Sequence, residues 1–459
     1  MSGNGISGGR GRGTPSTGRP PASSPSLASK PAVSAAVLNG TLRVPFALPK
    51  SRHQQDQRRS RSQPAVIFAA VLACTTGVML GASTRQQTQA SPQEPQHTAR
   101  FATSARQTPV SGTQAAQPPA GGLPDAAKGL TAVDGIKVGH FTLSERPTGC
   151  TVVLAPDGTT GGVDVRGGAP GTRETDLLNP VNNVQIVNAI VLSGGSAYGL
   201  DAASGVMRYL DEHNIGYPIA GTVVPIVPGA ILMDLGFGGK PKIRPSADCG
   251  YQAATAASEA AVTEGNVGAG AGATIGKMGG PGRAMKAGVG SSAIVMPNGL
   301  VVAAIVAVNA VGDIINPATG HVIAGVRTED GKGLADARKL LRSGALFNRQ
   351  AQAPRAGENT TIGIVATNAK LTKVQTEKMA MMAHDGYGRA ISPVHTPGDG
   401  DTIFALATGK FSGEVNYGLV GALAAEAMAD AIVRAATQAT SSGGLPAARD
   451  LGTVPPGSK

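Results

Sequence analysis

The stretch that decides this fold reads Gly357-Glu358-Asn359-Thr360-Thr361-Ile362-Gly363-Ile364-Val365. A small polar residue, Asn359, precedes two threonines, and these open an apolar run typical of a β-strand. If the chain is cut between Asn359 and Thr360, the new threonine carries a hydroxyl and a free α-amino group. Such an amine has a pKa of about 7.7–8.0 and can accept the proton of its own hydroxyl without a histidine. A Thr-Thr pair alone is also typical of an ordinary strand edge, so the hypothesis depends on the rest of the chain.

The charge of the 459-residue chain is concentrated in its first part. Residues 1–124 contain 13 Lys and Arg against two acidic residues, which accounts for the whole net charge of +11. The remaining residues are electrically balanced and give no indication of nucleic-acid binding. Three cysteines without a CxxC pair or a Cys/His cluster indicate neither a zinc site nor a disulfide framework, although a single Cys150–Cys249 bridge stays open.

Composition divides the chain into five parts. Residues 1–64 are rich in Gly, Ser, Pro and Arg and are predicted to be a disordered basic tail. Residues 65–82 are uncharged, largely apolar and preceded by arginines, which predicts a signal anchor or a signal peptide. Residues 83–125 are a predicted flexible linker, residues 126–440 a folded domain, and residues 441–459 a loose C-terminal tail.

This organisation predicts a protein that is held at the cell membrane through residues 65–82 or is exported. The alternative is a start codon assigned too far upstream of a soluble enzyme, which would place the protein in the cytoplasm. The sequence leaves both open.

The folded part interleaves strands and helices. The turn Pro297-Asn298-Gly299 between two apolar runs predicts a β-hairpin, and Thr372 with Gln375 has the spacing of a capping box that begins a helix. Apolar residues at helical spacing predict a last helix through Leu419 and Ile432. Because hairpins are frequent among these elements, we predict a layered α/β or α+β domain.

Polar side chains in glycine-rich turns mark candidate sites. Besides the Asn359-Thr360 junction, Asp399 and Asp401 lie two residues apart before a predicted strand, so they face the same way and could orient an ammonium group. The alternation of Asp and Gly is by itself equally typical of a solvated turn, and alone it favours that interpretation.

Two further glycine-rich turns carry candidate hydrogen-bond donors. In the loop 265–274, Asn266 could donate to an oxyanion. In the strand-to-helix turn 194–199, Tyr198 could be a second donor. The structural alternatives are close backbone packing for the loop and a buried core tyrosine for the turn.

Together these places resemble a family of self-cleaving N-terminal-nucleophile hydrolases, the L-aminopeptidase/D-esterases, β-peptidyl aminopeptidases and nylon-oligomer hydrolases. The resemblance extends from about Ala132 to Val433. It is carried by three motifs: Asp164–Asp176 (DVRGGAPGTRETD), Gly194–Leu200 (GGSAYGL) and Asp399–Ala405 (DGDTIFA).

The resemblance implies roles for the junction and the acidic pair. Thr360 corresponds to the nucleophile that autocleavage after Asn359 exposes. Asp399 and Asp401 correspond to an acidic pair placed 39 and 41 residues after the nucleophile, as in the nylon-hydrolase branch.

It also implies roles for the two donors. Asn266 corresponds to the asparagine near the nucleophile and the oxyanion, and Tyr198 to the tyrosine that contacts the substrate carbonyl. One position departs from the pattern: where nylon hydrolases carry a lysine, the rough alignment places Ala247, with Lys240 or Lys242 as substitutes.

A second junction, Gly290-Ser291, could also be cut to give an N-terminal serine. Its distance of 108 residues from Asp399, against 39 for Thr360, argues against it.

The fold implied by the resemblance is a four-layer αββα sandwich, self-cleaved into a large and a small chain. The resemblance further implies a homo-oligomer (a tetramer of processed heterodimers), small peptide, amide or ester substrates, no nucleic acid, and no metal or organic cofactor. Two alternatives stay open at this point: an N-terminal-nucleophile acyltransferase of the ornithine acetyltransferase kind, and a non-catalytic membrane-tethered binding protein.

Overall fold

The computed structural model describes residues 125–344 and 359–453. The predictions for residues 1–64, 65–82 and 83–124 lie outside the described residues. Within the described ranges, no helix combines the length and the apolar character needed to cross a membrane.

The described residues form seventeen strands and five α-helices. The strands are β1 (Lys137–Thr142), β2 (Gly149–Leu154), β3 (Thr160–Val165), β4 (Thr172–Arg173), β5 (Ala189–Ser193), β6 (Tyr217–Ile219), β7 (Thr222–Val224), β8 (Gly229–Ile231), β9 (Thr274–Ile275), β10 (Met285–Lys286), β11 (Val289–Val295), β12 (Val301–Asn309), β13 (Asp313–Ile315), β14 (Val322–Ala324), β15 (Thr360–Thr367), β16 (Ile391–Ser392) and β17 (Thr402–Ala407). The helices are α1 (Ala202–Glu212), α2 (Ala247–Thr255), α3 (Ala337–Arg342), α4 (Lys373–Ala390) and α5 (Tyr417–Thr437).

Two five-stranded sheets form the centre of the domain. The first has the order β1-β2-β5-β8-β4, and the second has the order β11-β12-β15-β17-β3. Each sheet is antiparallel except for one parallel pair, β5 with β8 and β15 with β17.

Three apolar clusters show how the layers stack. One lies between the sheets and joins Ile190 and Leu192 of the first sheet to Ile362 and Phe404 of the second. Another packs α1 and α2 on the outer face of the first sheet, and the third packs α4 and α5 on the outer face of the second. The order helix, sheet, sheet, helix confirms the predicted αββα sandwich.

Strand β15 runs through the middle of the second sheet. All eight of its residues are buried, and it pairs with β12 on one side and β17 on the other. Because side chains alternate along a strand, Ile362 and Ile364 enter the cluster between the sheets while Val365 faces the helices. A continuous apolar run with both faces buried is the pattern that the stretch after Thr360 predicts.

The predicted start of α4 and the predicted hairpin are confirmed. The Thr372 hydroxyl accepts the Gln375 N–H, and the Gln375 side chain accepts the Thr372 N–H, which completes the capping box. The turn at Pro297-Asn298-Gly299 joins β11 and β12 in an antiparallel hairpin.

The structure contains a disulfide that the sequence left open, and it differs from the prediction of a loose C-terminal tail. Cys150 in β2 and Cys249 in α2 form a disulfide with their Cα atoms 6.2 Å apart, so the bridge that the sequence left open is present. The segment predicted as a loose tail is packed in its described part, since Ala447 and Ala448 are fully buried and the Lys286 N–H donates to the Pro446 carbonyl at 2.9 Å.

Candidate active site

Thr360 lies at the first position of β15 and is buried, with 2% of its surface exposed. On one side the antiparallel register places it opposite Asn309, the last residue of β12. On the other side the preceding residue, Asn359, forms a parallel bridge with Asp399, just before β17. The junction therefore lies between the end of one strand and the start of another.

The peptide bond between Asn359 and Thr360 is flanked by polar groups. The Thr360 hydroxyl donates to the carbonyl oxygen of Asn359. The Gly400 N–H donates to the same oxygen at an N···O distance of 3.0 Å. A backbone N–H in this position stabilises negative charge that develops on the carbonyl oxygen. A hydroxyl and a polarised carbonyl thus meet at this bond.

The two aspartates are buried beside the junction, each 1% exposed. Asp399 accepts the Thr396 N–H at 2.7 Å. Asp401 accepts the Thr361 N–H at 2.7 Å through one oxygen, and His395 through the other. The solvated-turn interpretation is therefore wrong for both. Burial, followed by the negative charge of Asp401, raises the pKa of Asp399 above its usual range.

Lys277 and Asn309 complete the polar surroundings of the junction. The Lys277 ammonium donates to the backbone carbonyl of Asn309 at 2.8 Å and to its side-chain oxygen at 2.9 Å. The Asn309 amide in turn donates to the Met233 carbonyl at 2.9 Å. Because Asn309 is the partner of Thr360 in the sheet, these contacts place a positive charge near the acidic pair, where it partly offsets the rise in the pKa of Asp399.

Sequence reasoning missed these two residues. Asn309 is the polar residue that ends the long apolar run of β12, and Lys277 follows directly on the glycine-dense loop. Both signals are present in the sequence. What brings them to Thr360, however, is the register of β12 against β15, which no local pattern states.

The structure does not bring Asn266 into this group. Its side-chain amide donates to the Thr440 carbonyl at 2.8 Å, and its side-chain oxygen accepts the Thr440 N–H at 3.1 Å. Asn266 thereby ties its loop to the segment after α5. The loop itself does not reach the junction; Lys277, which lies beyond the loop and after β9, contacts it through Asn309.

Tyr198 lies at the surface. It sits in the short 3-10 segment Ser196–Asp201 after β5, is 59% exposed, and stacks under the Arg244 guanidinium at 3.6 Å. The core-tyrosine alternative is therefore wrong. The turn is linked to the junction indirectly: the Gly195 N–H donates to Asp234, which follows the Met233 that binds Asn309.

The lysine that the resemblance places near Ala247 lies in a different segment of the chain. Ala247 is the first residue of α2, and its N–H donates to Asp201 at 2.9 Å. Lys240 and Lys242 are both exposed. The lysine at the junction is Lys277, so neither suggested substitute is needed.

Ser291 is a structural residue within β11. Its hydroxyl accepts the Leu130 N–H at 2.8 Å and donates to the Ala304 carbonyl at 2.7 Å. Its location in the middle of a paired strand agrees with the spacing argument against a cut at this position.

The glycine-rich motif after β3 forms a wall over the acidic pair. Backbone N–H groups of this motif donate to the carbonyl oxygens of Asp399 and Asp401. The Ala169 N–H, for example, donates to the Asp399 carbonyl at 2.8 Å. A Cβ atom on Gly400 would lie 2.8 Å from the Ala169 oxygen and 2.9 Å from the Thr360 hydroxyl. Such contacts leave no space for a side chain, so the wall and the DGD turn need glycine at this position.

The junction thus gathers a hydroxyl, two carboxylates, an ammonium group and a carboxamide. In the part of the chain that the structure describes, no group of three His, Cys, Asp or Glu side chains is arranged to hold a metal ion. The set of groups suits proton transfer and acyl chemistry at a carbonyl.

Comparison with known proteins agrees with this geometry. The family model described as peptidase family S58 matches residues 128–448. An uncharacterized aminopeptidase of Mycobacterium tuberculosis is 42% identical over 350 residues, which cover 70% of this chain and 97% of the relative. A 6-aminohexanoate-oligomer endohydrolase of Kocuria sp. is 32% identical over 322 residues, covering 66% and 84%.

Solved structures share the fold. A Burkholderia sp. beta-aminopeptidase superposes with a TM-score of 0.53 at 21% identity, covering 72% of this chain and 94% of its own. The L-aminopeptidase D-Ala-esterase/amidase of Ochrobactrum anthropi, described as a variant of the Ntn hydrolase fold, superposes with a TM-score of 0.51 at 18% identity, covering 71% and 90%. The family decides against a non-catalytic binding protein: this chain belongs to peptidase family S58 and is an amide-bond hydrolase.

Proposed function

We propose that the chain cuts itself between Asn359 and Thr360, and that the freed Thr360 is the nucleophile of an aminopeptidase-like amide hydrolase. The observation that carries this proposal is the buried junction, where the Thr360 hydroxyl and the Gly400 N–H both contact the Asn359 carbonyl oxygen. The acidic pair beside it is the second support.

In the uncut chain the Thr360 nitrogen is an amide and cannot accept a proton. Asp399, bridged to Asn359, is the candidate base for the hydroxyl proton. The hydroxyl oxygen would then bond to the Asn359 carbonyl carbon while the Gly400 N–H stabilises the oxyanion. The C–N bond would break, the Thr360 nitrogen would take the proton, and an ester would remain. Water would hydrolyse that ester, leaving a carboxylate on Asn359 and a free threonine.

After the cut, the Thr360 amine would act as base for its own hydroxyl. The hydroxyl would attack a substrate amide and expel an amine, and water would hydrolyse the acyl-enzyme. Asp399 and Asp401 would hold the ammonium form of Thr360. Lys277, with Asn309, would offset negative charge on the substrate carbonyl. Tyr198 would contact that carbonyl, as the family resemblance implies.

We further propose peptides and related amides with a free amino group as substrates. The relatives at 42% identity are named aminopeptidases, whereas the 6-aminohexanoate-oligomer endohydrolases stand at 32%. Measuring the rates at which the protein hydrolyses a panel of amino-acid anilides and a set of 6-aminohexanoate oligomers would rank these two substrate classes.

The deciding experiment is the intact mass of the purified protein together with N-terminal sequencing. The expected result is a fragment 360–459 that begins Thr-Thr-Ile-Gly. Thr360→Ala should give one uncut and inactive chain, while the matched variant Ser291→Ala should still be cut at the same bond. A single uncut wild-type chain after prolonged incubation, or activity that survives in Thr360→Ala, would overturn the proposal.

A further inference from the structure

A histidine that the proposed chemistry does not use lies against the acidic pair. His395 contacts the same oxygen of Asp401 twice, through its backbone N–H at 3.1 Å and through its ring Nδ1 at 2.9 Å. The other oxygen of Asp401 accepts the N–H of Thr361, the residue after the nucleophile. Asp401 is therefore held between His395 and the nucleophile strand.

The ring of His395 is fixed by its neighbours. It stacks on Tyr387 with ring centroids 5.8 Å apart and meets the edge of His384 at 4.8 Å. His384 donates from Nε2 to the Asp164 carbonyl at 3.0 Å, and burial lowers the pKa of His384 to about 4, so it is neutral near pH 7. An uncharged pair of rings thus supports His395 from α4.

The backbone of His395 is also unusual. Its φ is +56°, in the left-handed region that few non-glycine residues adopt, Asn, Asp and His most often among them. This conformation turns both the backbone N–H and the ring of one residue toward a single carboxylate oxygen. Backbone strain of this kind persists where the surrounding contacts enforce it, and it is concentrated at functional sites.

Only one ring nitrogen is engaged. A carboxylate can only accept, so Nδ1 carries the proton toward Asp401. The Nε2 atom is buried and has no hydrogen-bond partner among the described residues. A side chain with its N–H donor at the Nδ1 position can make this contact, and one with its donor at the Nε2 position cannot. This difference distinguishes a role for the hydrogen bond from a role in packing.

We propose that His395 is a positioning residue for the reaction: its Nδ1–H fixes the carboxylate of Asp401 in the orientation that holds the Thr360 strand. This inference rests on the proposed role of Thr360 and adds a group that acts through Asp401. It does not touch the reacting bond itself.

The test compares two amides that differ in where they place the donor. In His395→Asn the side-chain NH₂ takes the place of Nδ1, and asparagine also tolerates the left-handed backbone. In His395→Gln the NH₂ lies near the position of Nε2, away from Asp401. Each chain is made by cell-free translation, and self-cleavage is followed from synthesis on a denaturing gel, so no external substrate is needed.

We expect His395→Asn to cut itself within about threefold of the wild-type rate and His395→Gln to be slowed by about 10- to 100-fold, the range seen for outer-shell partners of metal ligands. Both variants are also made in the uncut Thr360→Ala background, where equal unfolding midpoints show that folding is unchanged. If His395→Gln does not fold, His395→Gly replaces it, because glycine accepts this backbone and offers no donor.

Equal rates for the two amides, whether normal or slow, would overturn the positioning role and leave Thr360 as the nucleophile. Cleavage in the Thr360→Ala chain would instead overturn the proposed function. The two failures are therefore distinguishable.

Discussion

At the scale of single residues, the two aspartates have different surroundings. Asp401 is surrounded by three N–H donors, whereas Asp399 has one from Thr396 and lies next to Asn359. Burial and the neighbouring Asp401 raise the pKa of Asp399 above its usual 3.8. Asp399, whose backbone bridges Asn359, thus takes up a proton more readily than an ordinary aspartate.

This difference predicts an acid limit for self-cleavage. As pH falls, Asp399 is protonated above pH 3.8 and can no longer accept the hydroxyl proton, so the rate should drop in that range. Folding has the opposite sign: a raised folded-state pKa means that the folded chain binds this proton more tightly, so the Asp399 contribution to stability grows as pH falls. Cleavage rates of freshly translated chain between pH 3.5 and 8 would measure the limit. A rate that stays constant down to about 3.8 would contradict it.

Among the lysines near the site, Lys277 is the one whose replacement should lower the reaction rate most. Lys277→Met removes the donor to both oxygens of Asn309 and the positive charge beside Asp399. We expect the cut enzyme to hydrolyse amide substrates about 100-fold more slowly, as for the loss of an oxyanion donor, because the proposed place of Lys277 is at the substrate carbonyl. Lys240→Met is the matched control, because Lys240 is exposed, and it should leave the rate unchanged.

The sequence predicts some residues of the candidate site and not others. Asp399 and Asp401 could be placed beside Thr360 only through the family resemblance, which matches their spacing from Thr360, and the structure puts all three together. Asn309 could not, because its proximity to Thr360 is created by pairing between strands about 50 residues apart along the chain. Lys277 could not either, because it reaches the junction through its hydrogen bonds to Asn309. The glycine-dense loop and the resemblance both point to Asn266, but such a loop marks close packing as readily as a site.

At the scale of elements, periodicity and capping predicted the strand after Thr360, the hairpin and the start of α4. These elements have strong local signals. The parallel pairing of β15 with β17 and the packing of Cys150 against Cys249 depend on contacts between distant segments, which local patterns do not contain. The sandwich itself could be predicted only through the family resemblance.

Two glycines in α4 give a prediction about helix packing. A Cβ atom on Gly386 would meet the Ala425 carbonyl of α5 closer than real Cβ atoms approach, whereas Gly388 has open space around it. Gly386→Ala should therefore destabilise the fold by about 1–3 kcal/mol through overpacking. Gly388→Ala, two residues on in the same helix, should stabilise it by about 0.5 kcal/mol. Chemical denaturation in the uncut Thr360→Ala background measures both; a Gly386→Ala chain as stable as its parent would show that the α4–α5 contact does not need glycine.

At the scale of the whole molecule, the disulfide joins segments 99 residues apart within the first sheet and its helix layer. A loop of this length is expected to contribute up to about 4.7 kcal/mol by restricting the unfolded chain. Cys150→Ala/Cys249→Ala should melt at a lower temperature but still cut itself, because neither cysteine contacts the junction. Loss of cleavage in a folded double variant would contradict this.

The central place of β15 has a consequence for how the protein would unfold if it is cut before Thr360. A cut before Thr360 would assign β15, β17, α4 and α5 to one chain and β12 and β3 to the other, without removing any strand pairing. Unfolding would then change its molecularity: the cut protein dissociates into two polypeptides, so its melting temperature should rise with protein concentration. The Thr360→Ala chain unfolds as one polypeptide, and its midpoint should not depend on concentration unless it oligomerises. A mature enzyme that has melted would have to find its lost half by diffusion, which the uncut precursor never has to do.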